Sequence, residues 1–312
     1  MSARKLIYLA IAIPMIIMLF AFSNPSSVQA GKPQPPTPTP PPGPMPTEIR
    51  AGLRSSDYGI SPWPSPTWWV ESIDSMANRF NSVTQATGSS ILVVVEIDGM
   101  SGPGCWAHFP QPATGTYPGV RFDTVDEFAP ILSAFDDAGI KAWVQVESSG
   151  CDMEMLIDLV LNNYGSHPSV IGFGVDDEWY LNKQYQVGKP IEDTEAAAWV
   201  AQVRGFNPDY QVFLKHWLID QMPPTARDGL VFINDSQGFR SLSAMVTDFA
   251  EWGAAFASAK VGFQYGYPRD KKWWSRLGDP PGDIGKAIMA RTPNTSDLYW
   301  VDFSAYDIWP AE

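Results

Sequence analysis

From residue 48 onward, short runs of β-branched, aromatic and aliphatic residues alternate with longer amphipathic stretches. Short apolar runs bounded by turn residues predict β-strands, and apolar residues that recur every three or four positions predict helices. Eight strands are predicted: IRAGLRSS from Ile49, ILVVVEID from Ile91, KAWVQVES from Lys141, VIGFGVDDE from Val170, QVFLKHW from Gln211, LVFINDS from Leu230, KVGFQYGY from Lys260 and DLYWVDFS from Asp297.

Helical patterns lie between most of these strands, among them VDEFAPILSAFDDAG, MEMLIDLVLNNYG, EDTEAAAWVAQVRGF and LSAMVTDFAEWGAAF. The segment LIDQMPPTARDG, between the fifth and sixth strands, is a weak helix candidate. Repeated βα units over residues 48–312 predict an α/β fold, a closed (β/α)8 TIM barrel that forms one catalytic domain. An open doubly wound sheet is the alternative, but it more often carries fewer strands and a glycine-rich first turn.

The predicted strands end in polar and mostly acidic residues. In a (β/α)8 barrel, the groups that bind and convert substrate lie at the carboxyl ends of the strands. Lys215 and His216 either pair with the acidic groups or belong to an ordinary structural ion-pair network. The candidates for substrate binding at these ends are Glu96, Asp98, Gln145, Lys215, His216, Asp235, Gln264, Tyr265 and Asp302.

The fourth predicted strand, in VIGFGVDDEWY, ends in three consecutive carboxylates. Side chains alternate between the two faces of a strand, so Gly172, Gly174, Asp176 and Glu178 are predicted to face the barrel interior. The two glycines are expected to leave room there, and Asp177 is expected to point towards the helices. The bulky residues of the strand are predicted to face the helices as well: Ile171, Phe173 and Val175.

Glu147, at the end of the third predicted strand, is expected to be a neighbour of Glu178, because successive strands of a barrel are adjacent. Crowded carboxylates cannot all ionise, so the pKa of at least one should rise towards neutrality. A carboxylic acid that keeps its proton near neutral pH is what a glycosidic leaving oxygen requires. The candidate catalytic residues are therefore Glu178, Asp176 and Glu147.

The segment HPSVIGFGVDDEWY resembles the fourth-strand segment of the retaining glycoside hydrolases of clan A, in which a similar lead-in ends in Asn-Glu. The resemblance implies that Glu178 is the acid/base residue. Two features depart from the clan pattern. Asp177 stands where the clan has Asn, and the seventh strand, VGFQYGY, offers Gln264 or Tyr265 but no Glu as a nucleophile.

The same strand also resembles that of the family 18 chitinases, which closes with D-x-E, the Glu being the acid. Asp176 and Glu178 match this D-x-E, while Gly174 stands where a further Asp is usual. In that family the acetamido group of the substrate attacks the anomeric carbon, so no protein nucleophile is needed. The resemblance implies roles for Tyr265 as an oxyanion partner and for Trp300 as a floor on which a sugar stacks.

Three functions remain open on these residues. The first is a secreted glycoside hydrolase that cleaves glycosidic bonds in an extracellular polysaccharide or oligosaccharide. The second is a carbohydrate-binding barrel without catalysis, which the missing clan A nucleophile permits. The third is an acidic rim that binds calcium through the hard oxygen ligands of Asp98, Asp176 and Asp177.

Composition and charge exclude several classes of binding partner and cofactor. The formal net charge is -13, which disfavours nucleic acid and anionic membranes as partners. The three histidines lie far apart in sequence, without the spacing of a zinc motif, so no metal is predicted. No glycine-rich nucleotide-binding motif and no G-x-S-x-G elbow occurs, and no cofactor is expected.

The amino-terminal segment is typical of an exported protein. Residues 1–30 combine two basic residues, the apolar run LIYLAIAIPMIIMLFAF and small residues before a plausible cleavage site, which predicts a signal peptide or, if it is retained, an anchor in a membrane. Residues 31–47 are rich in proline and predict an extended linker. The domain is therefore expected outside the cell. In an oxidising compartment the only two cysteines, Cys105 and Cys151, are expected to form a disulfide.

Overall fold

The apolar runs form the strands of a closed barrel in a computed structural model that describes residues 44–99 and 104–311. Within those residues ten strands make one sheet, and eight of them form a parallel ring because β1 pairs with both β10 and β2. The predicted closed (β/α)8 barrel is confirmed. The strands are β1 (Glu48–Ser55), β2 (Gln85–Ile97), β3 (Cys105–Ala107), β4 (Val120–Phe122), β5 (Lys141–Val146), β6 (Val170–Asp176), β7 (Gln211–Lys215), β8 (Leu230–Asn234), β9 (Lys260–Tyr265) and β10 (Thr295–Trp300).

Helices cover the outside of the ring, and local sequence signals set several of their ends. The Ser65 hydroxyl accepts a hydrogen bond from Trp68 N at the start of the first helix, and Gly139, with φ of 72°, ends the second. The weak helix candidate between β7 and β8 forms only a 3-10 turn, Ile219–Gln221. The helices are α1 (Pro66–Asn78), α2 (Ala129–Ala138), α3 (Met153–Tyr164), α4 (Asp193–Phe206), α5 (Leu242–Ala255), α6 (Lys271–Trp274), α7 (Pro280–Met289) and α8 (Ala305–Ile308).

The barrel interior is packed with side chains. An apolar cluster fills its middle, formed by Ile91, Trp143, Phe213, Val231, Ile233 and Tyr299. A second and larger cluster lies between the strands and the helices, and it contains Phe173 and Val175 of β6, as their position in the strand predicts. The acidic residues at the carboxyl ends of the strands, such as Asp176 after β6, lie beyond these rings.

Two details of β6 differ from the prediction. Gly172 and Gly174 do face inward, but the space above them is not open, since the rings of Trp143 and Phe213 occupy it. Ile171 contacts the interior cluster rather than the helices. The reason is a register shift, in which Ala142 pairs with Val170 and the next residue of β5 pairs with Gly172.

A short excursion follows β2 and was not predicted. Strand β3 runs antiparallel to β2, and β4 pairs with β3, so the sheet extends beyond the ring at its carboxyl end. The predicted disulfide is present: Cys105 of β3 is bonded to Cys151 in the loop after β5. It ties the excursion to the neighbouring strand of the barrel.

The predicted export segment, residues 1–30, and most of the predicted linker, residues 31–47, lie outside the described residues. Among the residues that the structure does describe, none of the helices is both long enough and apolar enough to cross a bilayer.

Candidate active site

Inward-facing side chains of three neighbouring strands place a buried lysine between two carboxylates. Asp176 at the end of β6 pairs in register with Lys215 at the end of β7, and Asp235 follows β8. Lys215 Nζ lies 2.7 Å from Asp176 Oδ2 and 2.7 Å from Asp235 Oδ2. Burial opposes the charge of Lys215, but the two carboxylates outweigh it and raise its pKa well above the usual range.

Glu147, the next inward residue after Gln145 on the β5 side, has its own set of partners. The Tyr58 hydroxyl donates a hydrogen bond to Glu147 Oε1, and Arg54 Nη2 lies 3.5 Å from the same oxygen. Arg54 is held in turn by Asp302, whose Oδ1 is 3.0 Å from Arg54 Nη1. Burial, reinforced by the charge of Asp176, raises the pKa of Glu147 to about 7.

Glu178 lies two residues beyond Asp176, in a short 3-10 helix, Asp177–Trp179. It is only partly buried, unlike the lysine and aspartates beside it. Burial and then the charges of Asp176 and Asp235 raise the pKa of Glu178 to about 8, while Lys215 opposes this shift. Its carboxyl group therefore keeps a proton at neutral pH and loses it as the pH rises through about 8.

Three more of the predicted residues lie at this end of the barrel interior. Gln145 Nε2 is 3.5 Å from Asp176 Oδ2, and Gln264 Oε1 accepts a hydrogen bond of 3.2 Å from the Tyr267 hydroxyl. Glu96 is close enough for its charge to raise the pKa of Glu147. The structure thus brings together Glu96, Gln145, Glu147, Asp176, Glu178, Lys215, Asp235, Gln264 and Asp302.

Two of the predicted charged or titratable residues at the strand ends, Asp98 and His216, lie outside this group. Asp98 is on the β2–β3 excursion, where its Oδ1 pairs with Arg121 Nη2 at 2.8 Å. His216 has the opposite parity to Lys215, and its ring nitrogens bond to the backbone, Nε2 to Val187 O and Nδ1 to Leu218 N. His216 therefore orders two loops and does not face the carboxylates.

The roles expected for Tyr265 and Trp300 do not fit the structure. Both side chains are fully buried in the layer between strands and helices. The Tyr265 hydroxyl donates to Pro281 O, and the Trp300 ring packs against Tyr265 and Trp274 at centroid distances of 5.6 and 5.2 Å. Each residue directly follows an inward-facing one, so alternation turns it away from the cleft, and neither can touch a sugar there.

The calcium hypothesis is also not supported. Asp176 is engaged by Lys215, Asp98 by Arg121, and Asp177 faces α4, where Glu195 is its neighbour. Among the residues described, these three aspartates do not converge on one point.

Several residues of the cleft were missed from the sequence. Arg54 could have been found, because Arg50, Gly52 and Arg54 alternate along β1 as the inward residues do on β6. Tyr58 and Phe303 follow the ends of β1 and β10, and both are exposed. Their ring centroids lie 5.1 and 5.7 Å from the Arg54 guanidinium carbon. No local sequence signal marks these two residues, of which Phe303 lies in the 3-10 helix Asp302–Ser304.

The described part of the chain is therefore a (β/α)8 barrel whose carboxyl end carries a buried ion-pair network and a partly exposed carboxyl group of raised pKa. A comparison with protein-family models finds no match, and a comparison with the curated proteins finds none either.

Solved structures with a similar fold include two β-glucuronidases. That of Parabacteroides merdae is 12% identical with a TM-score of 0.41, covering 81% of this chain and 31% of that one. Beta-glucuronidase 2 of Bacteroides uniformis is 12% identical with a TM-score of 0.45, and the alignment covers 82% of this chain and 30% of that one. The chain thus spans about a third of the length of these enzymes, and a likeness at this level says nothing about its activity.

Proposed function

We propose that the protein is a glycoside hydrolase in which Glu178 is the general acid. The observation that carries the proposal is the position of the Glu178 carboxyl group, which is partly exposed at the mouth of the barrel beside the charges of Asp176 and Asp235 that raise its pKa to about 8. A second carboxyl group, that of Glu147, lies close enough to add to this pKa shift. An acid that is protonated beside another carboxylate is the pairing that glycosidic bond cleavage uses.

The proposed step follows from these positions. Glu178 donates its proton to the glycosidic oxygen as the bond from that oxygen to the anomeric carbon breaks. Glu147, held by Tyr58 and Arg54, supplies the second carboxylate, which stabilises or attacks the anomeric carbon or takes a proton from water. Water then adds its hydroxyl to that carbon, and its remaining proton goes to a carboxylate. Asp176 keeps its place beside the acid because Lys215 holds it.

The substrate class we propose is an extracellular polysaccharide or an oligosaccharide from it. Two aromatic side chains at the mouth, Tyr58 and Phe303, are exposed, and aromatic rings are the side chains that pack on the apolar C–H faces of sugars. The export segment in residues 1–30 supports secretion, with attachment to the cell surface if that segment is retained.

The test is a screen of the purified protein against β-glucans, chitin, mannan and galactan, with the products sized, followed by the substitution Glu178→Gln. The variant should lose at least about 100-fold in kcat, because a positioned general acid contributes 10²–10⁴-fold, while ligand binding is kept. Glu154→Gln, an exposed glutamate at the start of α3, is the matched control and should leave the rate unchanged.

Two results contradict the proposal. One is a Glu178→Gln variant that hydrolyses its substrate at the wild-type rate. The other is binding of a glycan by the wild type with no product formed, which would favour a carbohydrate-binding barrel instead.

A further inference from the structure

His108 is a buried histidine outside the machinery described above. It follows β3 on the excursion, is completely inaccessible to solvent, and lies under the Trp106 ring at a centroid distance of 4.6 Å. Neither of its ring nitrogens makes a well-aligned hydrogen bond. A buried imidazole whose nitrogens face carboxylates without well-aligned hydrogen bonds is in a costly environment, so this arrangement calls for a ligand.

Four carboxylates surround the imidazole. Nε2 lies 3.3 Å from Glu96 Oε1, and Asp57 completes a group in which one ligand atom from each of the three residues lies within 4.8 Å of the others. Nδ1 faces the remaining two, 3.5 Å from Asp123 Oδ2 and 4.0 Å from Glu127 Oε2. If all four are ionised, the cluster carries a charge of -4 + 1 = -3 even with a protonated histidine, so it attracts a cation.

One more atom points to the same place. Glu96 is 6% exposed, and its second oxygen, Oε2, is buried without a hydrogen-bond partner. The cluster therefore offers a carboxylate oxygen without a hydrogen-bond partner beside an imidazole nitrogen that faces Glu96 Oε1 at 3.3 Å without a well-aligned hydrogen bond. This observation is independent of the number of acidic groups around the ring.

We propose that Asp57, Glu96 and His108 bind one divalent transition-metal ion, of which Zn²⁺ fits the donor set best. Imidazole nitrogen is a ligand of choice for Zn²⁺, whereas calcium and magnesium take oxygen ligands. Zinc bonds of 2.0–2.2 Å in a tetrahedron place ligand atoms about 3.3–3.6 Å apart, so ligand atoms now within 4.8 Å of one another close by roughly an ångström. The partly exposed Asp57 is the side chain free to make that movement.

The carboxylates on the other side of the ring fit this assignment. A metal-bound histidine usually donates its second N–H to a carboxylate, which fixes the ring and its tautomer. Asp123 and Glu127 face Nδ1 and provide that partner, leaving Nε2 to the metal. The ion joins the loop after β1, the end of β2 and the excursion, beside the cleft that holds Glu147.

The experiment measures metal content, so its result is separate from that of the hydrolysis screen. The full chain is stripped with a chelator, dialysed against Zn²⁺, and its bound metal and melting temperature are recorded. We expect one equivalent of zinc and a higher melting temperature, with Co²⁺ giving a visible absorption band typical of nitrogen and oxygen ligands.

His108→Gln and Glu96→Gln should abolish stoichiometric binding, and Asp123→Asn should weaken it by about 10–100-fold. His167→Gln is the matched control, because His167 Nδ1 also faces a carboxylate, Asp136, at 2.6 Å but belongs to no such cluster. This variant should keep its zinc.

The inference is overturned if the wild type takes up no stoichiometric zinc, or if His108→Gln binds it as well as the wild type does. Uptake of calcium in place of zinc would also overturn it, because the histidine would then not be a ligand. If His108→Gln does not fold, Asp57→Asn in the partly exposed loop provides the same test, and unchanged zinc affinity in that variant contradicts the assignment.

Discussion

The Asp177 carboxyl group occupies an unfavourable environment for a charge. The side chain is completely buried, and neither of its oxygens has a hydrogen-bond partner. Burial first, and then the charges of Asp176 and Glu195, raise the pKa of Asp177 to about 9, with Lys189 opposing them. In the folded protein this aspartate is therefore neutral at pH 7.

A raised pKa makes stability depend on pH with a definite sign. The unfolded chain releases the Asp177 proton near 3.8, whereas the folded protein holds it up to about 9. The unfolded state thus binds fewer protons between these values, so stability falls as the pH rises across this window. The stability that depends on the Asp177 proton is fully present below the pKa of the unfolded chain, and it is lost once the pH passes the pKa of the folded protein, about 9.

Asp177→Asn should remove this dependence, because an amide does not ionise. At pH 8 we expect the melting temperature of the variant to exceed that of the wild type by about 4 °C or more. Between pH 6 and pH 9 its melting temperature should also fall less steeply. Asp74→Asn, an exposed aspartate of α1, is the control. Parallel curves for wild type and Asp177→Asn would show that the carboxyl group is not buried in this way.

Strand β6 shows how a single element positions the cleft. Its inward glycines let the rings of Trp143 on β5 and Phe213 on β7 meet over β6, and the acids begin only beyond those rings. A Cβ on Gly172 would lie 2.1 Å from Gln211 O of the paired strand, and one on Gly174 would lie 2.1 Å from the Phe213 ring. The absence of a side chain is thus a packing requirement at both positions.

Gly172→Ala and Gly174→Ala should each lower the free energy of unfolding by about 1–3 kcal/mol or more, because overpacking a filled core forces neighbours to move. Gly172→Ala should lower the free energy of unfolding more than Gly174→Ala does, because its added Cβ clashes with a backbone atom. The measurement is urea unfolding, with Gly205→Ala in α4 as control, where an added Cβ meets nothing within 4 Å. That control should be neutral or slightly stabilising. Stability equal to wild type in both strand variants would refute the packing described.

The alternation of side chains along a strand explains which predicted orientations are correct and which are wrong. It placed Asp176 at the mouth and Phe173 and Val175 outside, because β6 is regular beyond its first residues. Glu178 follows in the 3-10 helix Asp177–Trp179, to which strand alternation does not apply. The same rule, applied to β9 and β10, turns Tyr265 and Trp300 away from the cleft. Those two were chosen by resemblance and by their place near a strand end, and the structure follows alternation instead.

For the molecule as a whole, the ring could be predicted from the sequence because each of its strands is an apolar run with clear boundaries. The excursion could not, since β3 and β4 have three residues each and carry no periodicity. His108 owes its place among carboxylates from distant parts of the chain to this excursion. The cluster could not be predicted from the spacing of these residues in the sequence, because only tertiary folding brings Asp57, Glu96 and His108 together.

The disulfide holds the excursion to the rest of the molecule. Cys105 and Cys151 are 46 positions apart. In the chain-entropy account, a cross-link over such a loop lowers the conformational entropy of the unfolded chain, which stabilises the fold by about 4 kcal/mol. The double variant Cys105→Ser/Cys151→Ser, which leaves no unpaired thiol, should therefore unfold at a lower urea concentration, with a loss of about 2–4 kcal/mol. Wild type kept in a reductant should lose the same amount, whereas the double variant should not respond to the reductant. A double variant as stable as the oxidised wild type would mean that the cross-link adds nothing to the fold.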